Sequence, residues 1–336
     1  MRSPCTITVL FLLALLAGQA CTKAEQPQPE DRSPIVFSAT VSGEMPLTRA
    51  ANEIGDTDHL QAAGFGVFAC YTGLHKYAES NANSSFMYNQ RLEWNSGRWE
   101  YNPVKYWPNG EGEATGITGA SPYYVSFFAY APYSNGSNPC IPACILEQEV
   151  GDPWILYRLS DDVASQVDLL YAQPLLDQTK PQTGSKLAFT FKHALACVGD
   201  TVTISNATVG TGFEVRLKEV KIDYTLTSKA RLILWNRGAA NWSVVQSEEV
   251  VTTRSMTLLS DGNEALPATF AGNGVFCIPA EAAGYPQKAT VHVTYVVDYD
   301  NPSLPSVERS ASSELLLKGL LQEGKRLNIN INLTNQ

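Results

Sequence analysis

The side chains that could support catalysis or metal binding are scattered along the chain rather than grouped in recognisable motifs. No two of the four histidines stand at metal-ligand spacing, and the sequence contains no H-E-x-x-H motif, G-x-S-x-G elbow, phosphate-binding loop or dinucleotide fingerprint. His193 follows a strand-like run of apolar residues and is predicted to be a buried, hydrogen-bonded side chain. The pattern therefore predicts a protein that is not an enzyme and has neither a metal nor a cofactor.

Two short acidic motifs have simpler explanations than catalysis. Asp161–Asp162 is typical of the first turn of a helix, where carboxylates interact favourably with the helix dipole. Ser160 would cap a short helix over Asp161–Leu170, which is the best helical candidate in the chain. Asp298–Asn301 offers oxygen ligands of the kind that calcium accepts, but an acidic strand end before a turn explains it with fewer assumptions.

The cysteines do not form a complete disulfide framework. Setting Cys5 and Cys21 aside leaves an odd number, five. Cys140 and Cys144 could close a small loop in an oxidising compartment, and the sequence leaves that pairing open. Cys70 and Cys197 lie within apolar strand patterns and are predicted to be buried free thiols.

The N-terminus has the layout of a bacterial lipoprotein precursor. A basic start precedes the apolar run Ile7–Ala17, which has the length of a signal-peptide core, and residues 1–20 are interpreted as that signal. Cys21 directly follows the small residues of the cleavage site, so we expect it to carry lipid, palmitate included, and to anchor the protein at the outer membrane. The alternative is an ordinary secretory signal cut after Ala20. Residues 21–34 are polar and rich in proline, which predicts a flexible tether.

The charge balance excludes two classes of partner. The chain has 24 basic and 33 acidic residues, for a net charge of −9, and it contains no basic cluster. Such a chain is not expected to bind nucleic acid or to hold anionic lipid by electrostatic attraction.

Period-two alternation is the dominant structural signal. The clearest example is the last strand, in which apolar residues alternate with Asn and Thr: Leu327, Ile329, Ile331 and Leu333. A change of phase within Phe213–Ile222 predicts a β-bulge. Short strands with frequent turns predict an all-β protein of sandwich type, and the chain length suggests two domains, at 35–183 and 184–336.

Aromatic residues are concentrated in Phe86–Pro108, and two interpretations compete. A hairpin turning at Asn95–Gly97 would place the aromatic rings in a sandwich core. Alternatively, Trp94, Trp99 and Trp107 would form an exposed platform that binds sugars. The second interpretation suits a glycan-binding outer-membrane surface lipoprotein that serves nutrient capture.

Several motifs follow one another in a recognisable order along most of the mature chain: Ile35–Ala39, Thr48–Ala50, Gly66–Ala69, Trp99–Pro108, Phe127–Tyr133 (FFAYAPY) and Phe189–Leu195. Together they resemble the fimbrillin-like family, the lipoprotein subunits of the type V surface fimbriae of gut and oral Bacteroidales. The resemblance implies two tandem transthyretin-like β-sandwich domains at the cell surface and no catalytic activity.

The resemblance also implies an assembly route. An Arg/Lys-specific surface protease would cut between Arg49 and Ala50, so that residues 35–49 act as a propeptide strand. The displaced strand would carry its apolar residues on one face: Ile35, Phe37, Ala39 and Val41. A donor strand from another fimbrial subunit would then fill the vacated position.

The last strand has two interpretations under this resemblance. Family stalk subunits carry extra donor sequence beyond the second domain, whereas here Leu327–Leu333 is followed almost directly by Gln336. Either Leu327–Leu333 is itself a donor strand, or the chain receives a strand without donating one. The second alternative predicts a tip or accessory subunit, for which a host or bacterial adhesion ligand is a further expected partner.

Overall fold

The regular structure is almost entirely β. The computed structural model describes residues 33–42, 53–108, 123–181, 185–206, 212–235, 241–246, 250–272 and 274–333. Cys21, Arg49 and Ala50 lie outside these residues. The first ten strands are β1 (Phe37–Val41), β2 (Phe65–Gly73), β3 (Met87–Asn95), β4 (Arg98–Glu100), β5 (Tyr124–Ala131), β6 (Ala143–Cys144), β7 (Trp154–Arg158), β8 (Leu170–Ala172), β9 (Leu175–Gln178) and β10 (Leu187–His193).

Eleven more strands occupy the remainder of the described chain. They are β11 (Ala196–Asn206), β12 (Phe213–Thr227), β13 (Lys229–Ile233), β14 (Trp242–Val244), β15 (Val251–Leu259), β16 (Glu264–Ala265), β17 (Ala268–Ala271), β18 (Val275–Cys277), β19 (Lys288–Tyr299), β20 (Val307–Leu316) and β21 (Arg326–Leu333). The helical segments found among the described residues lack the length and apolar character that a bilayer-spanning helix needs.

The first half of the chain is built around one large sheet, sheet A. Its strand order is β1-β10-β8-β5-β2-β3-β4, and β9 pairs separately with β5. The central strands β2 and β5 are buried on both faces, which explains their continuous apolar runs in place of alternation. A smaller sheet B has the order β14-β13-β7-β6.

Two further sheets form a sandwich in the second half. In sheet C, β11 pairs with β17 and β18 along one edge and with β21, in parallel, along the other. Sheet D has the order β15-β12-β19-β20, with β16 beside β12. The sheets pack closely where β11 passes β12: Gly199 has a φ of 75°, and a Cβ there would overlap the Tyr224 hydroxyl.

The predicted alternation and β-bulge are confirmed. On β10 and β19, buried residues alternate regularly with more exposed ones. β12 changes register against β19 between Leu217 and Glu219, where the sequence pattern changes phase. An all-β fold of sandwich type is therefore the observed class.

Helical structure differs from the prediction. The helix expected over Asp161–Leu170 is wrong: the segment forms a single 3-10 turn at Val163–Ser165, and Leu170 already belongs to β8. The α-helix of the described chain is instead α1 (Thr57–Ala63), with Asp56 as its N-cap, accepting a hydrogen bond from the His59 amide at 2.8 Å. Asp162 accepts a hydrogen bond from the Ala164 amide and so caps only this short turn. The segment does not continue as a helix, because its last residue is already paired within β8.

Strand pairing crosses the predicted domain boundary between residues 183 and 184. β10 follows that boundary, yet it lies within sheet A between β1 and β8. β13 and β14 follow it as well, and β13 pairs with β7 in sheet B. The division into two domains stays a prediction, but the polar segment 177–185 does not separate the sheets.

Candidate functional site

The first strand lies at an edge of sheet A. β1 pairs in parallel with β10, from Phe37 opposite Leu187 to Val41 opposite Phe191. The ladder is extended at both ends, because the Leu187 amide donates to the Val36 carbonyl at 2.8 Å and the Ser42 amide donates to the Phe191 carbonyl at 2.7 Å. Backbone hydrogen bonds therefore hold the whole strand along one side.

The residues just before β1 are held on the opposite side too. The Ile35 amide donates to the Lys105 carbonyl at 2.9 Å, and the Trp107 amide donates to the Ser33 carbonyl at 3.0 Å. The Tyr101 hydroxyl donates to the Ile35 carbonyl at 2.8 Å. Removal of this segment would leave unpaired backbone groups on both flanks of the position it occupies.

The inward face of β1 is part of the hydrophobic core. Ile35, Phe37 and Ala39 are 1%, 2% and 8% exposed, while Val41 is half-buried. The Phe37 ring stacks on Phe189 with centroids 5.8 Å apart. The four residues predicted to share one face therefore do so, and Phe37 is the main anchor of the strand.

The space beneath Phe37 is lined by aromatic side chains. Tyr101 and Phe127 meet its ring edge-on at 5.6 and 5.8 Å. Without β1, these rings and Phe189 would border an apolar trough, next to the unpaired edge of β10. We call this position the β1 groove.

The chain downstream of residues 43–52 is anchored independently of β1. Glu53 is 7% exposed, and its carboxylate accepts two hydrogen bonds from the Arg326 guanidinium at 2.8 and 3.0 Å. The Ile54 amide donates to Asp168 Oδ2 at 3.2 Å. Sequence patterns did not indicate this network, because its members are far apart in the chain. From the sequence alone, Arg326 is only a charged residue at the start of a predicted strand.

The same network contains His193, which is buried and hydrogen-bonded, as predicted from its position at the end of an apolar strand. Its Nδ1 lies 2.8 Å from Asp168 Oδ2, and both side chains are buried. Burial alone lowers the pKa of His193, but the hydrogen bond with Asp168 and the nearby Glu53 carboxylate outweigh that effect and raise the pKa above its usual value. The network thus lies between the end of β10 and the start of β21.

The last strand occupies a comparable edge position with less burial. β21 pairs in parallel with β11, with Leu327 opposite Val198 and Leu333 opposite Asn206. Ile329 is 2% exposed, whereas Leu327, Ile331 and Leu333 are only half-buried. The predicted alternation is present, but the strand contributes one fully buried side chain where the segment of β1 contributes three.

The tryptophans do not form an exposed platform. Trp99 and Trp107 are buried at 5% and 4% exposure, and only Trp94 is substantially exposed, at 38%. Trp94 lies opposite Trp99 across a hairpin that turns at Ser96 and Gly97, both with positive φ. The structure therefore agrees with the core-filling hairpin.

The sequence left the pairing of Cys140 and Cys144 open, and no disulfide joins them in the structure. Both are free thiols: Cys140 lies 3.7 Å from the Ser165 carbonyl, and Cys144 lies 3.7 Å from the Tyr88 hydroxyl. Burial raises the pKa of each thiol, which disfavours the reactive thiolate. Cys70 and Cys197 are buried free thiols, as predicted. Within the described ranges, no three His, Cys, Asp or Glu side chains are grouped so that they could hold a metal ion.

Comparisons with known proteins agree with the motif resemblance. A model of the fimbrillin-like family matches residues 48–336. The chain is 23% identical over 256 residues to the fimbrium subunit Fim1C of Phocaeicola vulgatus; the match covers 72% of this chain and 62% of the relative, so the chain spans less than two thirds of that protein's length. A solved fimbrial protein from Bacteroides vulgatus has a similar fold, with a TM-score of 0.61 at 19% identity over 89% of this chain and 95% of that chain. The family model covers far more than half of the sequence, and the chain therefore belongs to the fimbrillin-like family.

Proposed function

We propose that the chain is a structural, adhesive subunit of surface fimbriae that joins another subunit by strand exchange in the β1 groove. The observation that carries the proposal is the placement of β1, an edge strand packed like core whose covalent link to the downstream body runs through residues 43–52. Arg49 and Ala50 belong to that link. A single cut there would turn an internal strand into a separable peptide.

The proposed route begins at the membrane. Lipid on Cys21 holds the precursor at the outer membrane, and an Arg/Lys-specific surface protease cuts between Arg49 and Ala50. The strand Ile35–Val41 then leaves, and an extended strand of another subunit takes its place. Glu53 remains fixed by Arg326, so the body downstream of the cut keeps an anchored start.

The free energies of binding β1 and of binding an incoming strand explain why cleavage must precede strand exchange. Burying Ile35 and Phe37 contributes roughly 3 to 6 kcal/mol, and each backbone hydrogen bond adds about 1 kcal/mol. An incoming strand with a similar pattern of apolar residues gains about the same free energy on binding. The free energy of exchanging one strand for the other is therefore close to zero. While β1 is covalently attached, its effective concentration is on the order of millimolar, which favours it over any free competitor. Cleavage removes that advantage.

β21 is better suited to remain in place than to act as a donor. It pairs with β11 from Arg326 to Leu333 and buries Ile329 between sheets C and D. Arg326 also holds Glu53 and lies 3.6 Å from Asp200. Departure of β21 would break the network that anchors the start of the trimmed body. We therefore propose that the chain is the strand acceptor in this exchange.

The N-terminus of the surface protein tests the route. Protein sheared from cells that naturally produce the chain should begin at Ala50, and Arg49→Ala should prevent both trimming and incorporation into fimbriae. Arg32→Ala is the matched control, because it removes a basic residue of the tether and should change neither. Sheared chains that all begin at Cys21, or normal fimbriae from Arg49→Ala, would contradict the proposal.

A peptide experiment tests the groove directly. The purified chain starting at Ala50 should bind a synthetic peptide of residues 33–42, seen as a rise in the thermal unfolding midpoint. A peptide with Phe37→Ala should bind at least about a hundredfold more weakly, since about 3 kcal/mol of burial is lost. A peptide with Thr40→Ala should bind normally, because Thr40 is exposed. Failure of the unmodified peptide to bind would show that trimming leaves no open groove.

A further inference from the structure

One face of sheet B carries basic side chains and no acidic ones. Arg158 of β7 stands directly opposite Lys229 of β13, and Arg231 lies two residues further along β13. The alternate residues Tyr157 and Ala230 are fully buried, so the three basic side chains share the outward face. The four strands of this sheet contain neither Asp nor Glu. We call Arg158, Lys229 and Arg231 the basic face of sheet B.

The basic face lacks the charge compensation seen elsewhere in the molecule. Within the described part of the chain, none of its three side chains forms an ion pair. On sheet D, by contrast, Lys218 and Lys288 each lie 2.6 Å from a glutamate on the neighbouring strand β20. Like charges directly opposite each other on paired strands destabilise a sheet. An anion bound between Arg158 and Lys229 would remove that repulsion.

A pocket of about 300 Å³ continues the basic face between the end of β7 and the start of β15. Arg158 lines it together with Arg254, whose side chain is 6% exposed. Arg254 Nε donates to the Ser160 carbonyl at 2.8 Å, and Nη1 donates to the Thr253 carbonyl at 2.9 Å. Nη2 carries two N–H groups, and its acceptor among the described residues is Asp161 Oδ1 at 3.3 Å. The guanidinium therefore retains a donor for a ligand.

The pocket has an excess of positive charge. Burial lowers the pKa of Arg254, and the charge on Arg158 lowers it further, against the opposing effect of Asp161. Two guanidinium groups thus share one carboxylate, and the Asp161 side chain is 83% exposed, which makes its ion pair weak. The remaining polar lining consists of hydroxyl groups: Ser228, Thr252 and Thr253.

Strand addition cannot occupy this surface. β13 lies between β14 and β7, and β7 lies between β13 and β6, so neither strand has a free edge. A ligand must therefore be recognised by side chains. Guanidinium groups bind carboxylates through two parallel hydrogen bonds, and the Arg231 guanidinium is oriented by the Trp154 ring, whose centroid lies 4.3 Å away.

The lining favours a ligand that carries both carboxylates and hydroxyl groups. Arg158, Lys229 and Arg231 supply cationic donors, and the pocket adds hydroxyl groups with little apolar surface. An acidic peptide would find neither a strand edge nor apolar pockets for its other side chains. A polysaccharide containing uronic acid has a carboxylate and several hydroxyl groups on each acidic sugar.

We propose that the basic face of sheet B and the Arg254 pocket bind a uronic-acid-containing polysaccharide. The inference rests on the proposed function in that it gives an adhesive subunit a class of ligand. The surface is separate from the strand β1 and its partner β10, so ligand binding and strand exchange involve different strands. The sequence did not reveal this basic cluster, because Arg158 and Lys229 become neighbours only through the pairing of β7 with β13.

Affinity electrophoresis of the purified chain in gels that contain polygalacturonate tests the proposal. The chain should be retarded by polygalacturonate and not by neutral dextran. Arg158→Gln and Arg231→Gln should each raise the dissociation constant about tenfold, since each removes hydrogen bonds between charged groups. Arg309→Gln is the matched control, because it removes the same charge from an exposed position on β20 and should change nothing.

The retardation overturns the proposal if it is absent or if Arg309→Gln lowers it as much as the other two substitutions. Arg158 and Arg231 are exposed, so their substitution should leave the thermal unfolding midpoint unchanged. Arg231→Lys keeps the charge but removes the planar donor pair, and it should weaken binding about threefold or more. Binding that is unchanged by Arg231→Lys would depend on charge alone and would also overturn the proposal.

Competition identifies the class of ligand. Poly-glutamate at equal charge concentration should displace the chain from polygalacturonate less effectively than free polygalacturonate does. More effective displacement by poly-glutamate would assign the surface to an acidic protein segment and overturn the proposal. The N-terminus of chain sheared from cells is determined separately. Fimbrial chain that starts at Ala50 but is not retarded refutes only this inference, whereas retarded chain that is absent from fimbriae refutes the proposed function.

Discussion

β1 and β21 are edge strands with the same kind of pairing but very different packing. Among the residues that the structure describes, each strand has one ladder neighbour and runs parallel to it: β10 for β1 and β11 for β21. The segment of β1 buries three apolar side chains and places Phe37 against three aromatic rings. β21 fully buries only Ile329. An edge position alone therefore does not decide how firmly a strand is held.

The difference in packing suggests that the two strands have different roles. β1 contributes strongly to the core, yet it is linked to the body through a segment that contains the proposed cleavage site at Arg49. β21 contributes less apolar burial but begins at Arg326, which joins the buried network at Glu53. Thus β1 would be stable until it is cut, and β21 would be retained by a polar anchor.

Loss of the Phe37 ring should have the largest effect. In the Arg49→Ala background, which removes the proposed cleavage site, Phe37→Ala should lower the free energy of unfolding by about 3 to 5 kcal/mol, because the ring fills an enclosed aromatic site. Urea unfolding followed by tryptophan fluorescence measures this loss. Thr40→Ala on the exposed face should change stability by less than about 0.5 kcal/mol. Equal effects of the two substitutions would show that β1 is not packed as core.

Breaking the polar anchor of β21 should have the next largest effect. Arg326→Met removes the guanidinium that faces the buried Glu53 carboxylate, which should cost about 3 kcal/mol. The double variant Glu53→Leu with Arg326→Met should recover much of that loss, because no buried charge then lacks its partner. The same urea titration gives both values, and a double variant no more stable than Arg326→Met would argue against a specific pair.

The contrast between the strands also marks the limit of sequence-based prediction. Alternation identified both strands and the face each one buries, since a period of two depends only on local residues. The edge positions were not evident, because β10 and β11 become neighbours of β1 and β21 only through long-range pairing. The charged network was not found for the same reason: Glu53, Asp168 and Arg326 have no common local pattern. The helix expected over Asp161–Leu170 failed because tertiary pairing of β8 overrode a weak capping signal.

The pH dependence of stability should distinguish the end of β10 from the rest of the molecule. The pKa of His193 is raised in the folded state, so its favourable interaction is fully present below the unfolded value of about 6.5 and is lost as pH rises through the folded pKa. His193→Gln should therefore cost about 1 kcal/mol more at pH 5.5 than at pH 9, the difference between a charged and a neutral hydrogen bond. Asp168, Glu53 and Arg326 face this ring and are unchanged in the variant. A pH-independent difference would indicate that folding does not raise the pKa of His193.

The smallest effects should come from the half-buried ends of the two strands, and they test the comparison most directly. Val41 ends β1 and Leu333 ends β21, and each is half-buried against its core. Val41→Ala and Leu333→Ala should each cost about 1 kcal/mol in the uncut chain, because each removes two or three partly buried carbons. In the chain starting at Ala50, Leu333→Ala should keep its effect because β21 stays within sheet C. If Leu333→Ala no longer destabilised the trimmed chain, β21 would have left together with β1. The different roles assigned to the two strands would then be wrong.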